Sequence, residues 1–248
     1  ISELTGRVWE VLVGRRVNEA RLVLDFSQQV QLTLMVLRHT MPQTMAAEFF
    51  GVSQATVSRV WHRIAPVIQL VPGLHEQPLT QAGRGRVLLV DATFVPTGDR
   101  PGQGRDVAKA NYSGKHHVQC LNIQVAARTN GDLAAVSNPV PGSRHNSAAL
   151  HLVDWDTQLV PAQWVADTAY IGTGAITPRK KAKGTVRSTA DRTFNTSLAS
   201  IRSGIEHAIR HLKEWKILAT GYRGRLTDPP DIIRTITRLE LFRIEFQA

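Results

Sequence analysis

Residues 86–95 read Arg86-Val87-Leu88-Leu89-Val90-Asp91-Ala92-Thr93-Phe94-Val95. The apolar run Val87–Val90 is a short β-type segment, and an acid stands at its end. Working outward, Gln81-Ala82-Gly83-Arg84-Gly85 and Val71-Pro72-Gly73 carry the Gly and Pro signals of a linker. Downstream, His117–Ala127 is a longer β run, Asn130-Gly131 is a hairpin signal, and Leu133–Val140 returns as a strand. A helix is expected over Ser147–Trp155, a short strand over Trp164–Asp167, and helices over Leu198–Trp215 and Asp231–Phe246. Strands first, then strand and helix in alternation, predict a mixed α/β unit.

Upstream the period changes from two to 3.6. Val8, Val11 and Leu12, then Leu22, Leu24 and Phe26, then Val30, Leu32, Leu34 and Leu37 have helical spacing, and a second helical block covers about Thr44 to Ile68. The expected organisation is therefore a helical unit at 1–75, a linker at 76–84 and an α/β unit at 85–248.

Of the 248 residues, 42% are apolar and 20% charged, which excludes a disordered chain, a collagen and a coiled coil. The apolar runs fall far short of the ~20 residues of a membrane span. Glu3 and Glu10 argue against a signal peptide. With Cys120 as the one cysteine, no intrachain disulfide can form, and a cytoplasmic, nucleoid-associated location is expected.

The net charge of +10 is uneven: +1 over residues 1–80 and +9 over 81–248. Such a basic surface favours polyanions, DNA or RNA foremost. The densest run is Arg179, Lys180, Lys181, Lys183 and Arg187, either a phosphate-binding strip or a solvated loop.

Residues 43–64 have the pattern of a helix-turn-helix. Gly51 suits a helix end, Ser53 suits the next N-cap, and Val52 and Val57 occupy the staple positions around that cap. Val57, Val60, Trp61 and Ile64 form the inward face, leaving Gln54, Ala55, Ser58, Arg59, His62 and Arg63 outward. Gln, Ser and Arg on an exposed helix face suit base edges and phosphates; a helical hairpin that only packs or dimerises is the other reading.

Asp91 and Asp167 each end a short β segment, and Glu206 lies in the helix over Leu198–Trp215. Two strand-end carboxylates and one on a packed helix can hold two Mg²⁺ ions for phosphodiester chemistry. Singly, each acid could instead cap a turn or sit on the surface. At ~100° per residue, Arg202 and Lys213 flank Glu206 on one side and Arg210 on the other, with Leu198, Ile201, Ile205, Ile209 and Leu212 as the apolar flank. Glu206 is thus expected at the border of the buried face within a basic stripe, or else in an i, i+4 salt bridge. His207 and His211 have i, i+4 metal-ligand spacing, but Ala208 stands where a zinc-peptidase helix needs its glutamate. His145 and Asn146 are auxiliary candidates. Trp155, Trp164 and Trp215 read as core or interface residues.

Together these stretches resemble the DDE-superfamily transposases of bacterial insertion sequences, in the insertion-sequence-5 and Harbinger-like group. The resemblance rests on the helix-turn-helix, Val90-Asp91-Ala92-Thr93, Tyr112-Ser113-Gly114-Lys115, Pro141-Gly142-Ser143-Arg144-His145, Ala166-Asp167-Thr168-Ala169-Tyr170 and Thr177-Pro178-Arg179-Lys180-Lys181. Its most specific part is Arg202, three residues, Glu206, six residues, Lys213. The resemblance implies a ribonuclease-H-like α/β core behind an N-terminal all-α helix-turn-helix domain, with Asp91, Asp167 and Glu206 as catalytic triad and ligands of Mg²⁺, or Mn²⁺ in its place. It implies cutting at transposon ends and joining of 3′-hydroxyls to target DNA. Two positions depart from the pattern: Ala199 stands where Tyr is frequent, and Asn146 where Asp is frequent.

The expected DNA contacts are Gln54, Ser58, Arg59 and Arg63 for the transposon end, and Lys115, Arg179, Lys180, Lys181, Arg202 and Lys213 for phosphates. Double-stranded DNA is the expected partner, held by a homodimer or larger assembly. A DNA-binding regulator or decayed element with an inactive nuclease domain, and a plain nuclease that cannot join strands, stay open.

Overall fold

The computed structural model describes residues 1–13, 23–71, 78–99, 101–222 and 224–247. Leu22, counted in the helical spacing above, and the Pro72-Gly73 linker signal lie outside them. Four helices come first: α1 (Ser2–Val13), α2 (Phe26–His39), α3 (Gln43–Phe50) and α4 (Gln54–Ile68). Asp25 and Gln28 form a reciprocal capping box at the start of α2. Gly51 closes α3 at φ 66°, a left-handed conformation that a Cβ would strain. Ser53 then accepts the Thr56 N–H at 3.2 Å and starts α4. Ala46 and Ala47 are buried with Val57 and Val60, and these small side chains let α3 and α4 cross closely.

A short buried turn, α5 (Leu79–Ala82), lies within the expected linker. Leu79 and Ala82 pack with Leu88 and Trp164, so this part of the linker is docked on the sheet. The sheet is built around β1 (Leu88–Pro96) and β3 (Val118–Arg128), antiparallel from Leu88↔Arg128 to Pro96↔Cys120. Between them come α6 (Arg105–Asn111) and β2 (Tyr112–Ser113), neither expected from the sequence. The Asn130-Gly131 turn leads into β4 (Leu133–Val136), with Gly131 at φ 92°. The single strand expected over Leu133–Val140 is divided into β4 and β5 (Val140–Pro141), both paired with β3. Pro139 cannot donate to a ladder, and just before it the Ser137 hydroxyl takes the Gln124 N–H at 2.9 Å.

Helices α7 (Asn146–Leu152) and α8 (Trp155–Gln158) follow, then β6 (Trp164–Val165), which runs parallel to β1. α9 (Thr189–Glu214) is longer than expected because Ser188 caps it, accepting the Asp191 N–H at 3.0 Å. α10 (Lys216–Ala219) and α11 (Pro229–Gln247) end the described chain.

Strand alternation divides the core. Leu88, Val90, Ala126 and Ala134 bury against Leu150, Trp155, Trp164 and Tyr170 on one face. On the other, Leu89, Val95, Ile123 and Val125 join Leu198, Ile205, Ala208 and Leu212 of α9. The same cluster continues into the N-terminal helices and α11, from Leu4 through Ile68 to Ile236. Arg38 pairs with Glu214 at 2.7 Å, and Gln69 donates to Thr235 at 3.0 Å across this junction. Trp155, Trp164 and Trp215 are all buried, and Trp215 donates to Glu240 at 2.6 Å. No helix among the described residues is long and apolar enough to cross a membrane.

Candidate active site and DNA-binding surface

The site begins with the register of two parallel strands. Leu88 lies beside Trp164 and Leu89 beside Val165. Carried two residues further, that step sets Asp91 beside Asp167, just past the end of β6. Asp167 starts a single 3₁₀ turn, Thr168–Tyr170, and accepts the Ala169 N–H at 2.8 Å. Asp91 accepts the N–H of Ala92 at 2.7 Å and the guanidinium of Arg202 at 3.3 Å. Burial pushes the Asp91 carboxyl above the usual carboxylate range, and the charge of Asp167 adds to this. The Ala92 N–H, Arg202 and Lys115 act in the opposite direction without cancelling the rise. Two carboxylates whose charges repel in a half-buried place are a hard-oxygen set suited to a divalent cation.

A chain of buried polar side chains stands behind them. Tyr170, fully buried, donates its hydroxyl to Gln124 at 2.6 Å. Gln124 donates to Asn122 at 3.1 Å, and Asn122 donates to the Arg144 carbonyl at 3.2 Å and to Asn146 at 3.4 Å. The turn after Asp167 is thereby tied, across β3, to the segment that starts α7. Neither Gln124 nor Tyr170 was singled out from sequence as a site residue. The available signal was Gln124 itself, an amide between Ile123 and Val125 in a strand buried on both sides. Asn146 accepts a hydrogen bond here, as an aspartate could.

On α9, Arg202 reaches Asp91, whereas Glu206 one turn later is exposed. Ile201, assigned to the apolar flank, is 43% exposed, so the buried face is turned toward Gly204 and Ala208. Gly204 sits where a Cβ would lie 2.9 Å from Leu89 and 3.0 Å from the Thr129 carbonyl, which brings α9 close to the sheet. Among the described residues, no three His, Cys, Asp or Glu side chains are grouped so as to hold a metal ion. This includes His207 and His211, whose Nε2 atoms lie 2.9 Å apart on the exposed side of α9.

Lys213 is placed inside the protein. Its ammonium donates to the Phe94 carbonyl and, at 3.0 Å, to the Leu218 carbonyl, and lies 4.7 Å from the Phe94 ring centre. Burial lowers its pKa to about 8. Arg179 is also engaged, pairing with Asp191 at 3.1 Å and covering the Phe194 ring at 4.4 Å. Lys115, Lys180 and Lys181 are exposed. In the helical region Arg59 is exposed, Ser58 is half-buried, and Gln54 bonds to Gln43 of the preceding helix. Arg63 donates to the buried Gln29, and burial lowers its pKa. His145 is exposed at a cleft edge beside Asn146.

Residues 23–71 match the helix-turn-helix of DDE superfamily endonucleases, and residues 90–240 match the DDE superfamily endonuclease family itself. The chain is 27% identical over 197 residues to a protein of Streptomyces albus G named "Putative transposase for insertion sequence element IS112"; the match covers 79% of this chain and 72% of that protein. Asp91 lies inside β1 and not at its end as expected, because pairing with β3 continues to Pro96. The helix-turn-helix, the paired aspartates and the long helix following them all fall within these matched segments, and the chain belongs to the DDE superfamily endonuclease family.

Proposed function

We propose that this protein is a DNA transposase that binds transposon ends, cuts them by metal-dependent phosphodiester hydrolysis and transfers the freed strands to target DNA. The observation that carries the reading is the setting of Asp91, on β1, next to Asp167, just past the end of the parallel strand β6, where the charge of one acts on the other. The strand order β4-β3-β1-β6, antiparallel until the last, parallel pair, supports a ribonuclease-H-like core in the unit 85–248. The named relative in Streptomyces albus G supports transposition over simple nuclease action, and the motifs support the insertion-sequence-5 and Harbinger-like group.

Asp91 and Asp167 would hold Mg²⁺, or Mn²⁺ in its place, and Glu206 would complete the set from α9. Such ions, if bound there, would supply activation of the attacking oxygen and stabilisation of the leaving one. The chain's own groups have separate tasks. Arg202 offsets part of the Asp91 charge, and its buried Nε has no hydrogen-bond partner among the described residues. Lys115, Lys180 and Lys181 would bind phosphates, as would Arg179 from its place on Phe194. Lys213 acts as a strut between α9, β1 and α10 rather than as an open phosphate contact. In the unit 1–75, Gln54, Ser58 and Arg59 would face the transposon end, with Arg63 orienting α4 against α2. Two ends must be processed together, so the working form would be a dimer or larger assembly on double-stranded DNA.

The test is strand cleavage of DNA flanking the protein's own reading frame, with Mg²⁺, Mn²⁺ or EDTA. Cuts at defined ends and joined products from pre-cut ends are expected, absent in EDTA and in Asp91→Ala and Glu206→Gln. A folded protein that shifts the same DNA but never cuts it would overturn the reading in favour of a regulator.

A further inference from the structure

We infer that the cleft immediately beyond Asp91 along β1 binds one unpaired nucleotide of the strand that carries the scissile phosphate. The inference rests on Asp91 and Asp167 being the place where that phosphate lies. The cleft has a volume of about 180 Å³, below the ~300–1,000 Å³ of sites for drug-sized ligands, so it suits one small unit rather than a longer stretch. Three segments wall it: residues 92–94 of β1, 113–116 after α6, and 142–146, which lead into the first residue of α7.

Its chemistry is that of a nucleotide. One wall is aromatic: Phe94 and His116 stack with centroids 4.0 Å apart and planes inclined by 28°. Burial, with Lys115 and Lys213 nearby, lowers the His116 pKa and so favours the neutral ring. The floor carries the carboxamides of Asn122, engaged within the protein, and of Asn146, whose amide nitrogen could meet the edge of a base. Asn122 is held by Gln124, and Gln124 by Tyr170, so the floor is built by a buried network rather than by mobile surface groups. The rim carries Lys115 and Arg144, both exposed, and none of the lining residues is acidic. Gly142 lets the third wall close in: a Cβ there would lie 2.4 Å from the Cys120 carbonyl and 2.5 Å from its sulfur.

Position decides which nucleotide. Ala92 follows Asp91 directly, and Lys115 is near enough to act on the Asp91 charge. A strand whose scissile phosphate sits at Asp91 therefore presents its neighbouring base to the Phe94–His116 wall and its neighbouring phosphate to Lys115 and Arg144. Stacking on such a wall is sequence-tolerant, because every base has a π-face.

The experiment is an abasic scan. End duplexes lacking one base at each position around the cut are assayed for cleavage in Mg²⁺ and for binding in EDTA. The full-length protein is compared with His116→Ala and with His116→Phe, which keeps a flat ring. One position next to the cut is expected to lose about 5- to 150-fold on removal of its base. His116→Ala is expected to lose a similar factor on intact DNA and nothing further on that abasic DNA, while His116→Phe keeps the sensitivity. If every abasic loss is the same in wild type and His116→Ala, or no position next to the cut matters, the inference is wrong. Absence of cleavage with any metal would overturn the transposase reading instead, and the EDTA binding arm would still decide the cleft by the same coupling. Matching thermal midpoints for the three proteins separate stacking from folding.

Discussion

Arg202 on α9 and Asp91 on β1 form an ion pair, Nη2 to Oδ2 at 3.3 Å, with only 17% and 20% of their side chains exposed. The pair joins the long helix to the central strand at the point where the two aspartates meet. It also leaves Asp91 as the acid that a buried cation attends in the protein alone. Breaking it by Arg202→Gln is expected to lower the unfolding free energy by about 1.5–3 kcal/mol, since a hydrogen bond to a charged group is lost. Asp91→Asn combined with Arg202→Gln is expected to cost less than the sum of the single changes. Denaturant unfolding of all four proteins measures the coupling; strict additivity would show that the two side chains act independently.

Tyr170→Phe removes one oxygen and leaves the buried Gln124 carbonyl oxygen without its donor. A loss of about 1–3 kcal/mol in urea unfolding is expected. Because Tyr170 ends the turn that Asp167 begins, cleavage by this variant is also expected to need more Mg²⁺ for half-maximal rate. An unchanged Mg²⁺ requirement would confine Tyr170 to stability.

Lys213 makes stability depend on alkaline pH. Its folded pKa is about 8, against an ordinary value of 10.5, because burial disfavours the ammonium. Between those values the unfolded chain binds a proton that the native protein has released, so this group makes stability rise with pH. Below pH 8 both states hold the proton and the contribution is flat. Relative to Lys213→Met, the wild-type unfolding free energy is therefore expected to climb between pH 8 and 10.5. A flat difference curve would mean that the two carbonyls keep the ammonium at its ordinary value.

Two arginines of α4 are expected to behave differently. Arg59 is exposed, and Arg59→Ala is expected to weaken DNA binding while reducing the slope of log affinity against log salt by about one. Arg63 is bonded to buried Gln29, so Arg63→Ala is expected chiefly to lower the melting temperature. Titrations at several salt concentrations, beside thermal melts, distinguish the two; equal salt slopes for both variants would contradict the assignment.

The parts of the fold that were legible in the sequence depend on neighbours along the chain. Gly51 and Ser53 mark the α3–α4 turn because left-handed closure and N-capping are local needs. Asn130-Gly131 marks its hairpin, and Val87–Val90 marks the central strand, for the same reason. Pro139 is equally local: Ser137-Asn138-Pro139 interrupts the apolar pattern and is itself a breaker signal, yet the expected single strand ran across it. Short elements such as α5, α6 and β2 have too few residues for periodicity to register.

The charged groups divide along the same line. By itself the sequence determined the helical N-terminal region, the mixed α/β region after it, and the placing of Asp167 just past a short strand, because a period and an end signal need only a few consecutive residues; Asp91, expected at the end of its strand, lies inside β1, which continues to Pro96. Which cations face which partners was decided by tertiary structure alone. Arg202, Glu206 and Lys213 lie within about 40° on the helix wheel, yet Lys213 is drawn inside by carbonyls of Phe94 and Leu218, Arg202 meets Asp91, and Glu206 is left in solvent. A long side chain goes where burial is offset by an acceptor, and those acceptors come from strands and turns brought near only by folding.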